Sequence, residues 1–342
     1  MMRMSGLTAT LEQLLAGIDL SEAAAGELLR ALTDENLPPA LAAALLVALR
    51  AKGETPAEVR GFATAMRALS RRFDLPPGLP AADFVGTGGD ASGSLNLSTG
   101  AALLAAACGQ PIVKHGNRSI SSKSGSADVL EALGIKLPAD PTAARALLDA
   151  TNFTFLFAQT FHPAMKAVAP VRRTLGVRTV FNILGPLTNP AAPPFALIGA
   201  FDLPTARLMA DSLAGMPIQR CFVVHGEPGW DEATPVGPFT VFEVRPGTVR
   251  RHKRDPGHYG IPRCEPADLA GGDAVANARA IEAVLTGRDE GPHRDALVLG
   301  AGLALDLTGR ARGLRRGIEL ARKTLATGGG TRFLSQLRRG AE

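Results

Sequence analysis

The chain has 342 residues, of which 46% are hydrophobic and 20% charged, and a formal charge of +5. This composition excludes a disordered, collagen-like or coiled-coil protein, and the length predicts a large core with a smaller attached unit. No apolar run approaches the roughly 20 residues of a membrane-spanning helix, and Glu12 and Asp19 interrupt any secretory signal, so we expect a cytoplasmic protein without a membrane partner.

The first 70 residues predict a helical unit. Ser21 is a suitable cap for a helix that ends near Asp34, and the Ala- and Leu-rich segment Pro38 to Lys52 predicts a second helix. Thr55 and Glu58 have the spacing of a capping box at the start of a third helix. One face of that helix indicates either core or a surface for a partner helix, and its residues are Val59, Phe62, Met66 and Leu69.

From residue 82 onward, short strand-like segments alternate with helical ones. The strand segments are Phe84–Val85, Ile112–Val113, Phe153–Phe157, Ala196–Ile198 and Cys221–Val224. The helical segments between them are Thr99–Cys108, Ala127–Leu133, Pro141–Ala150 and Thr205–Ala214. This alternation predicts the α/β class with a mostly parallel central sheet. We expect a helical domain at 1–72, joined by about 166–189, and an α/β domain at 80–342.

Glycine-rich and polar segments follow the first predicted strand. Gly86, Gly88 and Gly89 precede Asp90 and can aim backbone N–H groups at an anion, although an ordinary tight turn has the same pattern. The glycine spacing differs from the dinucleotide-binding fingerprint and from the Walker loop. Asn96 to Thr99 then precede a helix, where such groups either cap the helix or bind a phosphate.

Three further segments suggest a site for an anionic substrate. Lys114 to Ser122 follow the second strand, and their two cations, amide and hydroxyl groups favour phosphate binding over a plain surface loop. Asp231 and Glu232 lie in a Gly- and Pro-rich loop, and such a pair is either solvated or, opposite a phosphate, suited to Mg²⁺. Arg172 is either a surface cation or a bidentate ligand for a substrate carboxylate.

The excess of positive charge does not select a partner by itself. Basic clusters at 250–254 and 310–316 are typical of a solvated face, although an anionic ligand or a nucleic acid would also be attracted to them. Cys108, Cys221 and Cys264 lack the spacing of a metal site, so we expect them to be reduced and structural.

Taken in order, these motifs resemble the anthranilate phosphoribosyltransferase family over nearly the whole chain. The motifs are DFVGTGGD (83–90), NLST (96–99), KHGNR (114–118), SGSADVLEALG (124–134), HPAMK (162–166), PVR (170–172), FNILGPLTNP (181–190), VHG (224–226) and DE (231–232). The resemblance implies a glycosyltransferase of tryptophan biosynthesis. Such an enzyme transfers the phosphoribosyl group of 5-phosphoribosyl 1-diphosphate to the amino group of anthranilate, the second step from chorismate. It also implies Mg²⁺ as cofactor and a homodimer joined through the helical domain.

The resemblance further implies a role for individual residues. Those implied for the diphosphate substrate are Gly86, Gly89, Asp90, Ser94, Asn96, Leu97, Ser98, Thr99, Lys114, His115, Gly116, Asn117, Arg118, Ser119, Ile120, Ser121, Ser122 and Ser126. Those implied for anthranilate are Gly86, Asn117 and Arg172, and those for Mg²⁺ are Ser98, Asp231 and Glu232. No obligatory acid or base is implied, because an aromatic amine is already neutral and the reaction mainly needs the leaving charge stabilised and the nucleophile placed.

Other functions are compatible with parts of the sequence. They are a paralogue with another aminobenzoate-like acceptor, a pyrimidine nucleoside phosphorylase of similar architecture, and a nucleic-acid-binding relative. Asn117, Arg118 and the Asp231–Glu232 pair argue against the phosphorylase. Because the diphosphate motifs are complete, we do not expect a nucleic-acid partner. Ala91 stands where the family frequently has glycine, which affects the flexibility of its loop.

Overall fold

Four helices form the N-terminal part of the computed structural model, which describes residues 4–118 and 123–340. They are α1 (Met4–Leu15), α2 (Glu22–Leu32), α3 (Pro39–Lys52) and α4 (Pro56–Ala68). The Ser21 side chain accepts a 3.2 Å hydrogen bond from the Ala24 N–H at the start of α2. Thr55 and Glu58 form the capping box of α4. Both predicted helix starts are therefore confirmed.

A seven-stranded sheet forms the centre of the remaining chain. Its strands are β1 (Ala82–Gly86), β2 (Ile112–Gly116), β3 (Phe153–Phe157), β4 (Phe195–Gly199), β5 (Arg220–Gly226), β6 (Phe239–Arg245) and β7 (Thr248–Arg254). Their order across the sheet is β3-β2-β1-β4-β5-β6-β7. The first five strands run parallel to one another. β6 runs antiparallel to both of its neighbours, β5 and β7. The predicted α/β class with a mostly parallel sheet is confirmed.

Helices connect the strands and cover both faces of the sheet. They are α5 (Leu97–Ala107), α6 (Ser126–Ala132), α7 (Pro141–Thr151), α8 (Ala158–Phe161), α9 (Met165–Leu175), α10 (Phe181–Leu184), α11 (Leu203–Ala214), α12 (Ala274–Leu285), α13 (Pro292–Leu307), α14 (Leu314–Ala326) and α15 (Gly329–Gly340). Short 3-10 turns occur at Gly185–Leu187, Pro256–Tyr259 and Pro266–Leu269. Within residues 4–118 and 123–340, none of the helices is long and apolar enough to cross a membrane.

Separate apolar cores lie on the two faces of the sheet. On one face, α5 and α13 pack together against the strands. On the other face, α11 and the N-terminal helices share one core, which includes Val59, Phe62 and Met66 of α4. These three side chains are at most 3% exposed. These three residues of the α4 face are therefore core, packed against other helices of the same chain, and they are not free to contact a helix of a second subunit.

The segment after α8 returns to the N-terminal helices. α9 contains Pro170 and packs against α3. The ring of Phe181 in α10 meets the ring of Phe62 edge-on, with 6.3 Å between centroids. These contacts bring Arg172 and the following residues to the side of the molecule where the helical unit adjoins the sheet.

The basic cluster at residues 250–254 belongs to β7, the last strand of the sheet. β7 forms a hairpin with β6, in which Arg250 pairs with Glu243, and most of its side chains are exposed. An edge strand has unpaired backbone groups that can join another chain, and charged side chains oppose such pairing. The sequence prediction missed this hairpin, because β7 shows a run of charges rather than an alternation of apolar and polar residues.

Candidate functional site

The segments with predicted roles meet at one edge of the sheet, where the parallel strands end. β1 continues into the glycine loop, defined here as residues 86–90, and β2 itself contains Lys114 and His115. The loop after β5 carries Asp231 and Glu232. Ligands of open parallel sheets bind at this edge, because the loops that follow the strands meet there.

Asp231 is held directly against the glycine loop. Its Oδ2 accepts a 2.7 Å hydrogen bond from the Gly88 N–H, and its own N–H donates a 3.3 Å bond to Asp90 Oδ2. A Cβ on Gly86 would overlap the Asp231 carboxylate, and a Cβ on Gly199 would overlap its carbonyl group. Because Gly86 and Gly199 have no side chains, Asp231 can lie this close to β1 and β4. Asp231 is buried, so the solvated alternative is wrong for this residue.

Glu232 lies beside the N-terminus of α5. Its Oε1 accepts a 3.0 Å hydrogen bond from the Ser98 N–H in the first turn of that helix. A Cβ on Gly226 would overlap the Glu232 carbonyl oxygen, so this loop also depends on a glycine for its approach. The arrangement joins the predicted Mg²⁺ ligands Ser98, Asp231 and Glu232 in one place.

Electrostatics make this carboxylate pair a suitable place for a cation. Burial and the charge of Asp90 together raise the pKa of Asp231 to about 7. Burial and the charge of Asp231 raise the pKa of Glu232 to about 8. Mg²⁺ prefers a few carboxylates completed by substrate oxygens and water, so these residues fit it. Within the described ranges, at this site or elsewhere, no group of three or more His, Cys, Asp or Glu side chains is arranged to hold a metal ion, so the protein would contribute only this carboxylate pair and Ser98.

A buried amide network fixes the polar residues in front of α5. Asn277 of α12 donates from Nδ2 to Asn96 Oδ1 at 2.8 Å and to Ser124 Oγ at 2.9 Å. Ser124 Oγ also donates to Asn96 Oδ1 at 3.0 Å. The sequence analysis missed Asn277, because it lies in an unremarkable helical segment far along the chain. Thr99, in the first turn of α5, is buried, and its hydroxyl has no hydrogen-bond partner among the described residues.

The loop between Asp90 and Ser94 is organised by its own side chains. Ser92 Oγ donates to Asp90 Oδ1 at 3.1 Å and is also within hydrogen-bond distance, 3.1 Å, of the Ser94 hydroxyl. Ser94 forms an isolated antiparallel bridge with Ala270. Ala91 has φ 57°, in the left-handed region that favours glycine. Ala91, which stands where the family frequently has glycine, therefore has a strained backbone conformation.

The segment after Ile112 has less contact with solvent than its sequence suggested. Lys114 is 2% exposed, and its Nζ donates to the Phe84 carbonyl of the neighbouring strand. Burial lowers its pKa, which the charges of Asp83, Glu232 and Asp231 oppose. In this structure Lys114 thus lies beneath the site, between β1 and β2.

The neighbours of Lys114 differ in their surroundings. The Asn117 carbonyl accepts a 3.3 Å bond from Ser126 Oγ at the start of α6. Arg118 donates to Asp128 and Glu131 at 2.7 Å, so its guanidinium lies on the side of α6. Four residues with predicted roles lie outside the described residues, namely Ser119, Ile120, Ser121 and Ser122.

Two buried histidines lie together behind this segment. The rings of His115 and His162 are 5.0 Å apart between centroids. His115 Nδ1 lies 3.2 Å from the Gly185 carbonyl. Burial lowers the pKa of His115 to about 3 and that of His162 to about 4. Both rings are therefore neutral near pH 7, and neither acts there as a cationic ligand.

Arg172 and Arg178 approach the site from the helical side. The Arg172 guanidinium lies over the Phe181 ring, 5.2 Å from its centroid, and partial burial lowers its pKa. No carboxylate pairs with Arg172 among the described residues. Arg178 donates to the Gly89 carbonyl at 2.7 Å and stacks on Phe201. The sequence analysis gave Arg178 no role, although it lies between two of the quoted motifs.

Comparison with known proteins agrees with this architecture. Residues 8–70 match the helical bundle domain of a glycosyl transferase family, and residues 78–331 match its a/b domain. An anthranilate phosphoribosyltransferase of Rubrobacter xylanophilus is 44% identical, over 94% of this chain and 94% of the relative. One from Desulforudis audaxviator is 44% identical over 96% of this chain and 94% of the relative.

The chain belongs to the anthranilate phosphoribosyltransferase family.

Solved structures of this family have the same fold over nearly the full chain. The Thermus thermophilus enzyme is 42% identical with a TM-score of 0.91, covering 97% of this chain and 99% of its own. A Saccharomyces cerevisiae anthranilate phosphoribosyltransferase in complex with PRPP and Mg is 27% identical, with a TM-score of 0.89 and coverages of 99% and 98%. Another structure of the yeast enzyme is in complex with 4-fluoroanthranilate, with 26% identity, a TM-score of 0.87 and coverage of 98% of both chains. The family resemblance seen in the sequence motifs is thereby confirmed.

Proposed function

We propose that this protein transfers the phosphoribosyl group of 5-phosphoribosyl 1-diphosphate to the amino group of anthranilate. The bond between ribose C1 and the diphosphate oxygen breaks, the amino nitrogen forms the new bond to C1, and the nitrogen then loses a proton. The products are N-(5-phosphoribosyl)anthranilate and diphosphate. The observation that carries this proposal is the Asp231–Glu232 pair, which is hydrogen-bonded to the glycine loop and to the first turn of α5.

The chain's own groups match the charge that this reaction develops. The Gly88 and Ser98 N–H groups already bind Asp231 and Glu232. The other backbone N–H groups of the glycine loop and of the α5 N-terminus are suited to the diphosphate. Ser98, Asp231 and Glu232 would hold Mg²⁺. When bound, Mg²⁺ supplies positive charge that neutralises the leaving diphosphate. The neutral histidines and the absence of a base requirement for an aromatic amine agree with a mechanism based on positioning and charge stabilisation.

The acceptor is assigned to the helical side of the site. Asn117 follows β2 at the sheet edge, and Arg172 has an unpaired guanidinium among the described residues. A planar guanidinium binds a carboxylate bidentately, which suits the ortho-carboxylate of anthranilate. The other predicted diphosphate ligands, including Lys114 and Arg118, remain predictions, and binding by these two requires a change in the contacts described above.

The quaternary structure and location are proposed on separate grounds. We propose a cytoplasmic homodimer joined through the helical domain, residues 1–72 with about 166–189, while 80–342 form the α/β domain. Large apolar side chains exposed in this region support an interface there: Leu15, Ile18, Val47 and Val177 are 44% to 65% exposed. Sedimentation analysis of the wild type and of Val47→Asp tests the proposed homodimer, and a monomeric wild type would contradict it.

The activity is tested by the loss of anthranilate fluorescence with 5-phosphoribosyl 1-diphosphate and Mg²⁺. We expect turnover by the wild type and severe loss in the double variant Asp231→Asn, Glu232→Gln. Glu227→Gln is the matched control, because Glu227 lies on the same loop but is exposed and pairs with Lys253. Wild-type turnover with another aminobenzoate alone, phosphorolysis of uridine or thymidine, or salt-sensitive DNA binding that survives the double substitution would favour one of the alternatives.

A further inference from the structure

Asp83, Lys114 and Asn189 lie buried at β1 and β2, where the backbone pairing between these two strands stops. Within the described residues, the register between β1 and β2 holds a single pair, Ala82 with Ile112. By contrast, β1 pairs with β4 along all five of its residues, and β2 pairs with β3 along all five. The backbone ladder between β1 and β2 therefore stops before the residues that lead into the site.

Side chains replace the missing ladder bonds, one from each strand. Asp83 of β1 accepts a 3.1 Å hydrogen bond at Oδ1 from the His115 N–H of β2. In the opposite direction, Lys114 of β2 donates from Nζ to the Phe84 carbonyl of β1. Since side chains alternate along a strand, Asp83 and Lys114 project from opposite faces of the sheet. The two strands are thus bridged on both faces.

Asn189 closes the same gap from the loop before β4. Its Nδ2 donates to Asp83 Oδ2 and to the Val113 carbonyl, each at 2.8 Å, and its Oδ1 accepts from the Ala191 N–H at 2.9 Å. Asp83 is 1% exposed and Asn189 2%. Buried charged groups seldom stabilise a fold more than apolar residues of similar volume, so stability alone gives little reason for this cluster.

We infer that Asp83 and Asn189 are positioning residues that fix the distance between the carboxyl ends of β1 and β2. That distance sets the separation of the glycine loop from the segment 114–118. The inference rests on the proposed function, in which both segments bind 5-phosphoribosyl 1-diphosphate. Because both side chains are buried, they act through the backbone of β2 and do not touch the substrate. Displacing binding groups by about 1 Å costs on the order of 100-fold in rate.

The test compares Asp83→Asn and Asn189→Ser with the wild type. Asp83→Asn keeps the size of the side chain and one oxygen acceptor. The second oxygen becomes an NH₂ donor, which cannot accept the hydrogen bond from Asn189 Nδ2 if the other oxygen stays with the His115 N–H. Asn189→Ser is too short to bridge Asp83 and Val113. We expect either variant to raise the KM for 5-phosphoribosyl 1-diphosphate on the order of tenfold or more. In the double variant the loss in kcat/KM should be smaller than the product of the two single losses, because both substitutions break one bridge.

A merely structural role would give a different result. The control Val244→Ala removes buried apolar volume from β6, far from both segments, and should lower the melting temperature with unchanged KM values. Variants of Asp83 and Asn189 that behave like Val244→Ala would overturn the inference. If Asp83→Asn does not fold, Asn189→Ser carries the same test.

Calorimetric binding of 5-phosphoribosyl 1-diphosphate with Mg²⁺ separates the inference from the proposed function. If the wild type binds this substrate without transferring it to anthranilate, the acceptor assignment fails, and weakened binding by both variants still supports the inference. If the wild type is active and both variants bind and react as it does, the inference alone fails. If the wild type does not bind it, both fail.

Discussion

The Asp231 carboxylate occupies the space that a side chain on Gly86 would need. Asp231 reaches this position from the loop after β5, and its Oδ2 is held there by the Gly88 N–H at 2.7 Å. Gly86 ends β1 and pairs with Gly199 of β4, whose missing side chain makes room for the Asp231 backbone. A glycine pair in adjacent strands thus admits an acidic residue into the edge of the sheet.

Substituting Gly86→Ala should displace Asp231 and impair Mg²⁺-dependent turnover. The added methyl group would overlap the carboxylate, so Asp231 and the Gly88 N–H must separate. We expect kcat/KM to fall on the order of 100-fold. The control is Gly257→Ala, where the nearest atom to an added Cβ is Asp255 Oδ1 at 3.2 Å. Equal kinetics for the wild type and Gly86→Ala would show that the Asp231 position is not needed.

Arg172→Ala should chiefly raise the KM for anthranilate. The loss of a charge-assisted bond to a carboxylate costs about 1.5–3 kcal/mol, which is roughly a 10- to 100-fold effect. The KM for 5-phosphoribosyl 1-diphosphate should change little. Arg173→Ala is the matched control, because Arg173 is the adjacent residue and is exposed. The assignment fails if the two variants have the same KM for anthranilate.

The buried pair His115 and His162 should make the fold sensitive to acid. Their pKa values of about 3 and about 4 lie below the value of about 6.5 in an unfolded chain. The unfolded state therefore binds protons first, and stability present above pH 6.5 is lost as the pH falls towards 4. At pH 5 this loss is on the order of 2 kcal/mol per histidine.

Denaturant unfolding at pH 7 and pH 5 measures this effect. Burial raises the pKa of Asp83 to about 6, which acts in the opposite direction over part of this range, so the comparison must be between variants. We expect His115→Gln and His162→Gln to lose less free energy of unfolding on acidification than the wild type. His252→Gln, on the exposed strand β7, should behave as the wild type does. A wild-type-like loss in all three variants would contradict the prediction.

Ala91→Gly should stabilise the loop between β1 and α5. Ala91 has φ 57°, and an L-residue pays about 1 kcal/mol in this region that glycine does not. We expect a gain of about this size in the free energy of unfolding. The same change at Ala164, which has φ −59°, should instead destabilise the protein. Loss of stability in Ala91→Gly would mean that loop entropy outweighs the backbone strain.

The sequence by itself determined the local structure of most elements. The Thr55–Glu58 capping box, the strand Phe153–Phe157 and the helix α11 follow from cap residues and from the spacing of apolar side chains, which are short-range properties. The ordered motifs also identified the family. Elements of this kind can be predicted from the sequence because their patterns depend on residues that are neighbours in the chain.

Only the tertiary structure decided between the alternatives that the sequence left open. It buried the α4 face in the protein's own core, moved Asp231 out of solvent, and placed Lys114 between two strands. The bonds that made these choices join distant residues: Ser98 to Glu232 across 134 positions and Asn96 to Asn277 across 181. Such contacts depend on how the sheet and the helices pack. The spacing of residues within one segment does not show which loop lies next to the end of which strand.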